Sequence, residues 1–210
     1  MKPILPPALS PGAGIGVVAP SGPIRPAALE EGLAYLRRKG YRVVEGKHLR
    51  CRHGYLAGTD AQRTADLNRA MGDPGLDAIV FARGGYGCGR ILDDLDFSPL
   101  KSRPKIFLGY SDLTAFYAAL FRATGIAGFY GPMVLNFNRP GKEFRERSLW
   151  SVLERRPGWN RFRLSRRGVL REGRGEGKLV GGCLSLLVSL LGTRFEPDTR
   201  GAILFWEEVD

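Results

Sequence analysis

Ser111 stands at the junction between an apolar run and an amphipathic one, in the stretch IFLGYSDLTAFYAALFRATG that begins at Ile106. A hydroxyl on a tight strand-to-helix turn can act as a nucleophile, because the first amides of the helix stabilise the oxyanion that forms. The match to G-x-S-x-G is partial, since Leu113 occupies the last glycine position. Ser111 is therefore a candidate nucleophile, and the alternative is that Ser111 or Asp112 only caps the helix.

The segment RGGYGCGR, residues 83–90, contains more glycine than a turn requires. Adjacent glycines let a backbone approach a ligand closely and direct amide N–H groups towards it. The segment lacks both G-K-[ST] and G-x-G-x-x-G, so it is neither a P-loop nor a dinucleotide-binding fingerprint. It is a candidate anion or oxyanion pocket, and the alternative is a flexible strand-to-helix connection.

Glu207 and Glu208 follow the apolar run GAILFW. A carboxylate at the end of a strand can orient a histidine as the third member of a catalytic triad, and the alternative is that it is simply solvated. The two histidines of the sequence, His48 and His53, lie in the basic loop HLRCRHGY, and we interpret both as surface residues.

The candidate loops are predicted to follow parallel strands. Strands are predicted at 14–19, 41–44, 78–82, 106–108 and 127–130, and helices at 26–39, 60–71 and 113–123. Pro26 favours the first helical turn, and Thr59 with Gln62 fits a capping box. This alternation predicts a parallel, doubly wound α/β sheet, in which sites gather at the C-terminal ends of the strands.

Three regions are expected along the chain. Residues 1–137 form the α/β domain, and residues 138–177, rich in arginine, glycine and isolated aromatics, are predicted to connect it to a second domain. Residues 178–210 are predicted to begin that domain with a helix at 183–191 and a strand in GAILFWEE. One helix and one strand cannot bury a core of their own, so we expect this domain to be incomplete.

The net charge of +11 and the isoelectric point near 10.0 raise the question of a nucleic-acid partner. The densest basic stretch, residues 155–178, carries no zinc-finger, RNP or basic-zipper pattern. We therefore interpret it as solvated surface or linker and predict no nucleic-acid partner.

The three cysteines are far apart and odd in number, which argues against a metal site or a disulfide framework. The N-terminus lacks an apolar signal region, and no apolar run is long enough to span a bilayer. The expected location is the reducing cytoplasm, without membrane attachment.

The ordered segments GIGVVAPSGP, GYLAGTDAQRTADLNRA, IVFARGGYGCGRILDDLD, FLGYSDLTA, GPM, LVGGCLSLLVSLLGT and AILFWEE resemble the LD-carboxypeptidase family. That family includes the murein tetrapeptide carboxypeptidases and the peptidases that give self-immunity to microcin C. The resemblance covers nearly the whole chain. It implies an N-terminal α/β sheet domain joined to a smaller β-rich C-terminal domain, with a Ser-Glu-His triad between them.

By position, the resemblance makes Ser111 the nucleophile and Glu207 the triad carboxylate. Asp112 and Gly85 match the backbone amides of the oxyanion hole. The family's histidine lies beyond the position of Asp210, so we expect the sequence to be the front portion of a longer protein and to be nearly inactive alone.

The resemblance implies removal of the terminal D-alanine from murein tetrapeptides during cell-wall recycling, with neither metal nor organic cofactor. It also implies self-association, since dimers occur in the family. Arg83 and Gly84 are candidate substrate-binding residues, because an arginine pairs well with peptide carboxylates, although Arg83 could instead brace the glycine loop.

Three alternatives stay open: a microcin-immunity type of peptidase acting on peptidyl-adenylates, a non-catalytic homologue and a nucleic-acid binder. One departure from the family is Cys183 in GGCLS, where the family commonly has asparagine, so any polar contact made there is in doubt.

Overall fold

The computed structural model describes residues 2–137, 143–162 and 168–209, so parts of the predicted connection and of the arginine-rich stretch lie outside the described residues. The helices and strands follow in this order: β1 (Gly14–Val18), α1 (Pro26–Arg38), β2 (Arg42–Glu45), α2 (Asp60–Gly72), β3 (Ala78–Phe81), α3 (Pro99–Ser102), β4 (Ile106–Gly109), α4 (Leu113–Thr124), β5 (Phe129–Tyr130), α5 (Glu143–Leu153), β6 (Lys178–Cys183), α6 (Leu184–Ser189) and β7 (Ala202–Glu207). Short 3-10 helices occupy Cys88–Asp94 and Val134–Asn136.

The first sheet is parallel and has the strand order β2-β1-β3-β4-β5. This is the doubly wound α/β architecture that the sequence predicts. The order in which strands are added reverses between β1 and β3, which is the topological switch point of the sheet. Because all five strands run the same way, the loops that follow them lie at one edge. That edge is where the candidate site forms.

Alternate residues of the strands face opposite sides of the sheet, so each side has its own apolar core. Val18, Ile79 and Phe107 pack with the buried faces of α2 and α4 on one side. Ile15 and Val80 pack with α1 and α5 on the other. The central strands are therefore buried on both sides, as their uninterrupted apolar runs indicate.

The local signals for the first two helices are confirmed. Pro26 is the first residue of α1. At the start of α2, the Gln62 N–H donates to Thr59 Oγ1 at 3.3 Å and the Thr59 N–H donates to Gln62 Oε1 at 2.9 Å, which is a complete capping box. The chain therefore enters both helices where its sequence predicts.

The predicted connection contains a helix that the sequence pattern did not reveal. Trp150 and Leu153 of α5 are buried in the core beside α1. The Trp150 ring stacks on Tyr41 with 5.1 Å between ring centroids, and its Nε1–H donates to the Tyr35 hydroxyl at 2.7 Å. This helix therefore packs on the first sheet rather than only linking two units.

The second sheet consists of β6 and β7, which pair in parallel around α6. The strand in GAILFWEE is confirmed, whereas β6 was not predicted, and α6 is shorter than the predicted helix at 183–191. Gly181 and Gly182 interrupt the apolar pattern of β6. A Cβ at Gly181 would lie 1.7 Å from the Phe205 carbonyl oxygen, so the close pairing of the strands requires glycine there.

Candidate active site

The loops after β1 and β3 are held together at the carboxyl edge of the sheet. The Gly22 N–H donates to the Gly84 carbonyl oxygen at 3.0 Å. Arg63 of α2 is buried, and its guanidinium donates to the carbonyl oxygens of Pro20 and, at 2.8 Å, Gly87. Arg63 thus fixes the glycine-rich loop against the first loop, a role that the amphipathic pattern of α2 does not reveal.

Ser111 lies at the abrupt turn between β4 and α4 with a φ of 64°. A non-glycine residue in this left-handed region costs about 1–3 kcal/mol, and such strain is common where a side chain must be presented to a ligand. Neither Ser111 nor Asp112 makes a side-chain capping bond to α4. The capping alternative therefore lacks support in the geometry, and the turn resembles a nucleophile elbow.

The glycine loop lies directly against the Ser111 side chain. A Cβ placed on Gly84 would lie 3.2 Å from Ser111 Cβ and 3.3 Å from Ser111 Oγ. The next residue, Gly85, has a φ of 114°, a conformation that side chains rarely adopt. A side chain at Gly84 would therefore displace Ser111 by a few tenths of an ångström, and the backbone geometry at Gly85 favours glycine.

Gly84→Ala tests whether this close approach sets the position of the hydroxyl. We expect kcat/KM for the hydrolysis proposed below to fall about 10-fold or more, because a reacting group must be held within about 0.5 Å of its productive geometry. Gly89→Ala is the control, since a Cβ there meets nothing within 4 Å. Steady-state kinetics and melting curves of both variants check this, and a wild-type rate for Gly84→Ala would contradict it.

The Asp112 side chain ties the elbow to the glycine loop. Its Oδ2 accepts the Cys88 N–H at 2.8 Å, and only 1% of the residue is exposed. Burial raises the pKa of Asp112, and the hydrogen bond from Cys88 opposes that rise. Within the described residues the backbone N–H groups of Asp112 and Gly85 donate to no protein acceptor.

Tyr130 connects the elbow to the second sheet. Its hydroxyl accepts the Ser111 N–H at 2.9 Å and donates to Glu207 Oε1. Burial raises the pKa of Tyr130, and the hydrogen bond to the Glu207 carboxylate raises it further. The structure thus brings Ser111 and Glu207, which are 96 positions apart in the sequence, within reach of one hydroxyl group.

A second connection runs through α4. The Thr114 hydroxyl donates to the Ser111 carbonyl oxygen at 2.7 Å and accepts the Cys183 N–H at 2.9 Å. A Cβ on Gly182 would lie 2.4 Å from Thr114 Oγ1, so glycine allows β6 to approach the elbow this closely. The Cys183 thiol is unpaired and contacts Ser185 Oγ at 3.2 Å.

Glu208 has surroundings that differ from those of Glu207. Its carboxylate accepts the N–H groups of Ser185 at 2.8 Å and Val209 at 3.0 Å, and one oxygen lies 3.5 Å from the Cys183 sulfur. The Val209 and Ser185 N–H groups hold the pKa of the Glu208 carboxyl below its usual value. Glu208 therefore stabilises the start of α6, and Glu207 is the acid that faces the elbow.

Arg83 lies on the glycine loop and is exposed. Its guanidinium donates to the Pro23 carbonyl oxygen at 3.0 Å, so it does brace this loop against the first one. The contact uses one of its N–H donors, and the others stay available to an anionic ligand.

The two histidines belong to the loop before α2. His48 Nδ1 lies 2.9 Å from Asp66 Oδ1, and its backbone N–H donates to the same carboxylate. His53 is exposed. Within the part of the chain that the structure describes, neither imidazole makes a hydrogen bond to Ser111 or Glu207.

Across 2–137, 143–162 and 168–209, no group of three or more His, Cys, Asp or Glu side chains is arranged to hold a metal ion. None of the helices described there has the length and apolar character needed to cross a membrane.

The chain matches known proteins over most of its length. Residues 15–131 match the family model of the LD-carboxypeptidase N-terminal domain, and residues 176–210 match that of the LD-carboxypeptidase C-terminal domain. A probable murein peptide carboxypeptidase of Bacillus subtilis (strain 168) is 42% identical over 210 residues, which are 98% of this chain and 65% of that protein. The microcin C7 self-immunity protein MccF of Escherichia coli is 29% identical, with 98% and 69% covered. The chain thus spans about two thirds of the length of these relatives.

Solved structures show the same similarity. An MccF-like protein from Bacillus anthracis str. Ames superposes with a TM-score of 0.87 at 28% identity, covering 98% of this chain and 70% of that one. A muramoyltetrapeptide carboxypeptidase from Oxalobacter formigenes superposes with a TM-score of 0.77 at 29% identity, covering 93% and 66%.

Proposed function

Since the chain belongs to the LD-carboxypeptidase family, whose members are hydrolases, we propose that it carries the nucleophile of a serine peptidase acting on murein tetrapeptides. The bond cleaved is the amide between an L-centre and the terminal D-alanine. The observation that carries the proposal is Ser111 in a strained turn, with Gly84 against its Oγ and Glu207 one hydroxyl group away.

In the proposed mechanism, Ser111 Oγ attacks the scissile carbonyl carbon while a histidine takes its proton. Glu207 accepts the imidazole's other N–H and keeps the ring in the required tautomer. The tetrahedral oxyanion is stabilised by the N–H groups of Gly85 and Asp112, each worth about 10²–10³ in rate. The histidine then protonates the amine of D-alanine, which leaves, and water hydrolyses the acyl-enzyme.

The histidine is proposed to come from a segment following Asp210, as the family resemblance implies. Residues 1–210 alone are expected to show no turnover above background, because His48 is bonded to Asp66 and His53 makes no contact with the elbow. Chromatographic detection of released D-alanine measures this. Robust hydrolysis by residues 1–210 would show that the base lies within them.

Substrate binding is proposed to involve Arg83 and Gly84 beside the nucleophile. Arg83 keeps N–H donors free after its contact with Pro23, so it can pair with a carboxylate of the peptide. Gly84 lets the substrate carbonyl approach Ser111. The proposed setting is cytoplasmic recycling of murein peptides by a self-associating enzyme, without cofactor or nucleic-acid partner.

A peptidase acting on peptidyl-adenylates is the second candidate. One observation supports keeping it: a solved structure of MccF in complex with glutamyl sulfamoyl guanosine superposes with a TM-score of 0.85 at 27% identity. The same Ser111, Glu207 and histidine would serve, but an aromatic platform for the base would be needed in addition.

The experiment that tests the proposal compares three substrates with the whole protein. A murein tetrapeptide ending in D-alanine, its isomer ending in L-alanine and an aminoacyl-adenylate analogue are assayed side by side. We expect cleavage of the D-terminal tetrapeptide and rejection of the L-isomer. Preference for the adenylate analogue would favour the second candidate, and failure to cleave any of them would contradict both.

A further inference from the structure

Tyr130 is the one hydroxyl within the described residues that contacts both Ser111 and Glu207. It lies at the end of β5, which pairs with β4 beside the elbow, whereas Glu207 ends β7 of the second sheet. We propose that Tyr130 is a positioning residue for the peptidase reaction, setting the triad carboxylate and the nucleophile's backbone in one fixed geometry. This inference rests on the proposed function.

The phenol can fix two partners because its two roles are different. A phenolic hydroxyl has one proton to donate and lone pairs to accept with. Here the Tyr130 hydroxyl oxygen accepts a hydrogen bond from the Ser111 N–H, and its O–H donates a hydrogen bond to Glu207 Oε1. Donation to a carboxylate is charge-assisted, so it is stronger than a bond between neutral groups. The hydroxyl therefore has a single favourable orientation, and so has the carboxylate.

The other oxygen of Glu207 is left for the triad. Glu207 Oε2 has no hydrogen-bond partner among residues 2–137, 143–162 and 168–209. A triad carboxylate needs one oxygen directed at the imidazole N–H. With Oε1 held by Tyr130, rotation of the carboxylate is restricted and Oε2 is oriented towards an incoming histidine.

The ring itself is held by the second sheet. Tyr130 meets Phe205 edge to face, with 5.4 Å between ring centroids. Phe205 and Glu207 are two residues apart on β7, so their side chains share one face of the strand. Trp206, between them, is 60% exposed on the opposite face. The Tyr130 ring and hydroxyl thus contact successive positions of the same strand face.

The hydrogen bond between Ser111 and Tyr130 also makes the Ser111 N–H unavailable to the proposed oxyanion. The Ser111 N–H is bonded to Tyr130, so the amides of Asp112 and Gly85 are the donors left free around the elbow. The Ser111 N–H thus holds the turn, and the Asp112 N–H is left free for the proposed oxyanion.

Tyr130→Phe in the whole protein tests the inference. The ring packing against Phe205 is kept and only the hydroxyl is lost, so the variant is expected to fold. We expect kcat on the murein tetrapeptide to fall about 10- to 100-fold, the loss usual for groups that orient a catalytic side chain, with KM within about twofold. The rate of Ser111 labelling by a fluorophosphonate, followed by intact mass, should fall in parallel.

Tyr117→Phe is the matched control. Its ring lies 6.3 Å from that of Tyr130, and its hydroxyl lies within hydrogen-bonding distance of backbone carbonyl oxygens that can accept its one proton, that of Phe129 at 3.0 Å. It makes no hydrogen bond to Ser111 or Glu207. The variant should keep kcat within about threefold at temperatures where it is folded, even though the loss of a buried hydroxyl lowers its melting temperature.

The outcomes distinguish the positioning role of Tyr130 from the proposed peptidase function. If Tyr130→Phe turns over at the wild-type rate while Ser111→Ala is inactive, the positioning role is wrong and the proposed function stands. Equal kinetic losses in Tyr130→Phe and Tyr117→Phe, in proportion to lost stability, would also overturn the role. Full activity of Ser111→Ala would overturn the proposed function and the inference with it.

Discussion

Ser111→Ala in the whole protein is expected to lower kcat by at least about 10⁴-fold and by up to about 10⁶-fold, as removal of a serine nucleophile does elsewhere. The fold should not change. Ser111 Oγ has no hydrogen-bond partner among the described residues, and alanine keeps the Cβ that packs near Gly84. Steady-state kinetics and thermal melting of the same preparation measure both effects, and unchanged kinetics would exclude Ser111 as the nucleophile.

Ser111→Gly separates strain from chemistry at the same position. Ser111 has a φ of 64°, which glycine adopts without steric cost. The glycine variant should therefore be as inactive as the alanine variant. Its melting temperature should be higher than that of the wild type, since relief of the strain is worth roughly 1 kcal/mol. A variant that is both inactive and more stable would show that the native turn gives up stability to present a hydroxyl. If glycine lowers the melting temperature, the strain argument is wrong.

The parts of the fold that could be predicted are those determined by local sequence. The apolar runs of β1, β3 and β4 contain enough β-branched and aromatic residues to indicate buried strands, and Pro26 with the Thr59 capping box marks two helix starts. In each case the signal lies within the element itself.

The elements that were missed depend on contacts distant in sequence. Helix α5 is rich in charged residues, and its buried Trp150 becomes meaningful only beside Tyr35 and Tyr41. Strand β6 contains Gly181 and Gly182, which sequence rules treat as strand breakers. Glycine is needed at both positions because of tertiary contacts. Phe205 lies too close to Gly181, and Thr114 too close to Gly182, for either residue to carry a side chain.

The candidate site also contains some residues that the sequence indicates and others that only the fold reveals. The sequence makes Ser111 and the acids after GAILFW candidates because they follow predicted strands, and the family resemblance is what selects Glu207 as the triad carboxylate. The sequence does not indicate Arg63 or Tyr130. An arginine on an amphipathic helix and a tyrosine on a short strand are common, and no motif marks either residue as part of a site. Only the fold shows Arg63 buried between two loops and Tyr130 between two sheets.

Glu207→Gln in the whole protein is expected to lower kcat by about 10⁴-fold with little change in KM or melting temperature. The Tyr130 hydroxyl can still donate to the carbonyl oxygen of the glutamine, so the link between the sheets is kept. The other end becomes an NH₂ group, which donates where the imidazole N–H needs an acceptor. The histidine then loses its orientation and its required tautomer, and steady-state kinetics on the murein tetrapeptide measures the loss.

Glu208→Gln is the control that makes this test specific, because the two acids are adjacent and lose the same charge. Glu208 accepts backbone N–H groups at the start of α6, so its replacement should lower the melting temperature slightly and leave kcat within about threefold. A general effect of removing a negative charge from the site would reduce activity in both variants. Loss of activity in Glu208→Gln, with Glu207→Gln active, would transfer the triad role to Glu208 and leave the contact between Tyr130 and Glu207 a purely structural one.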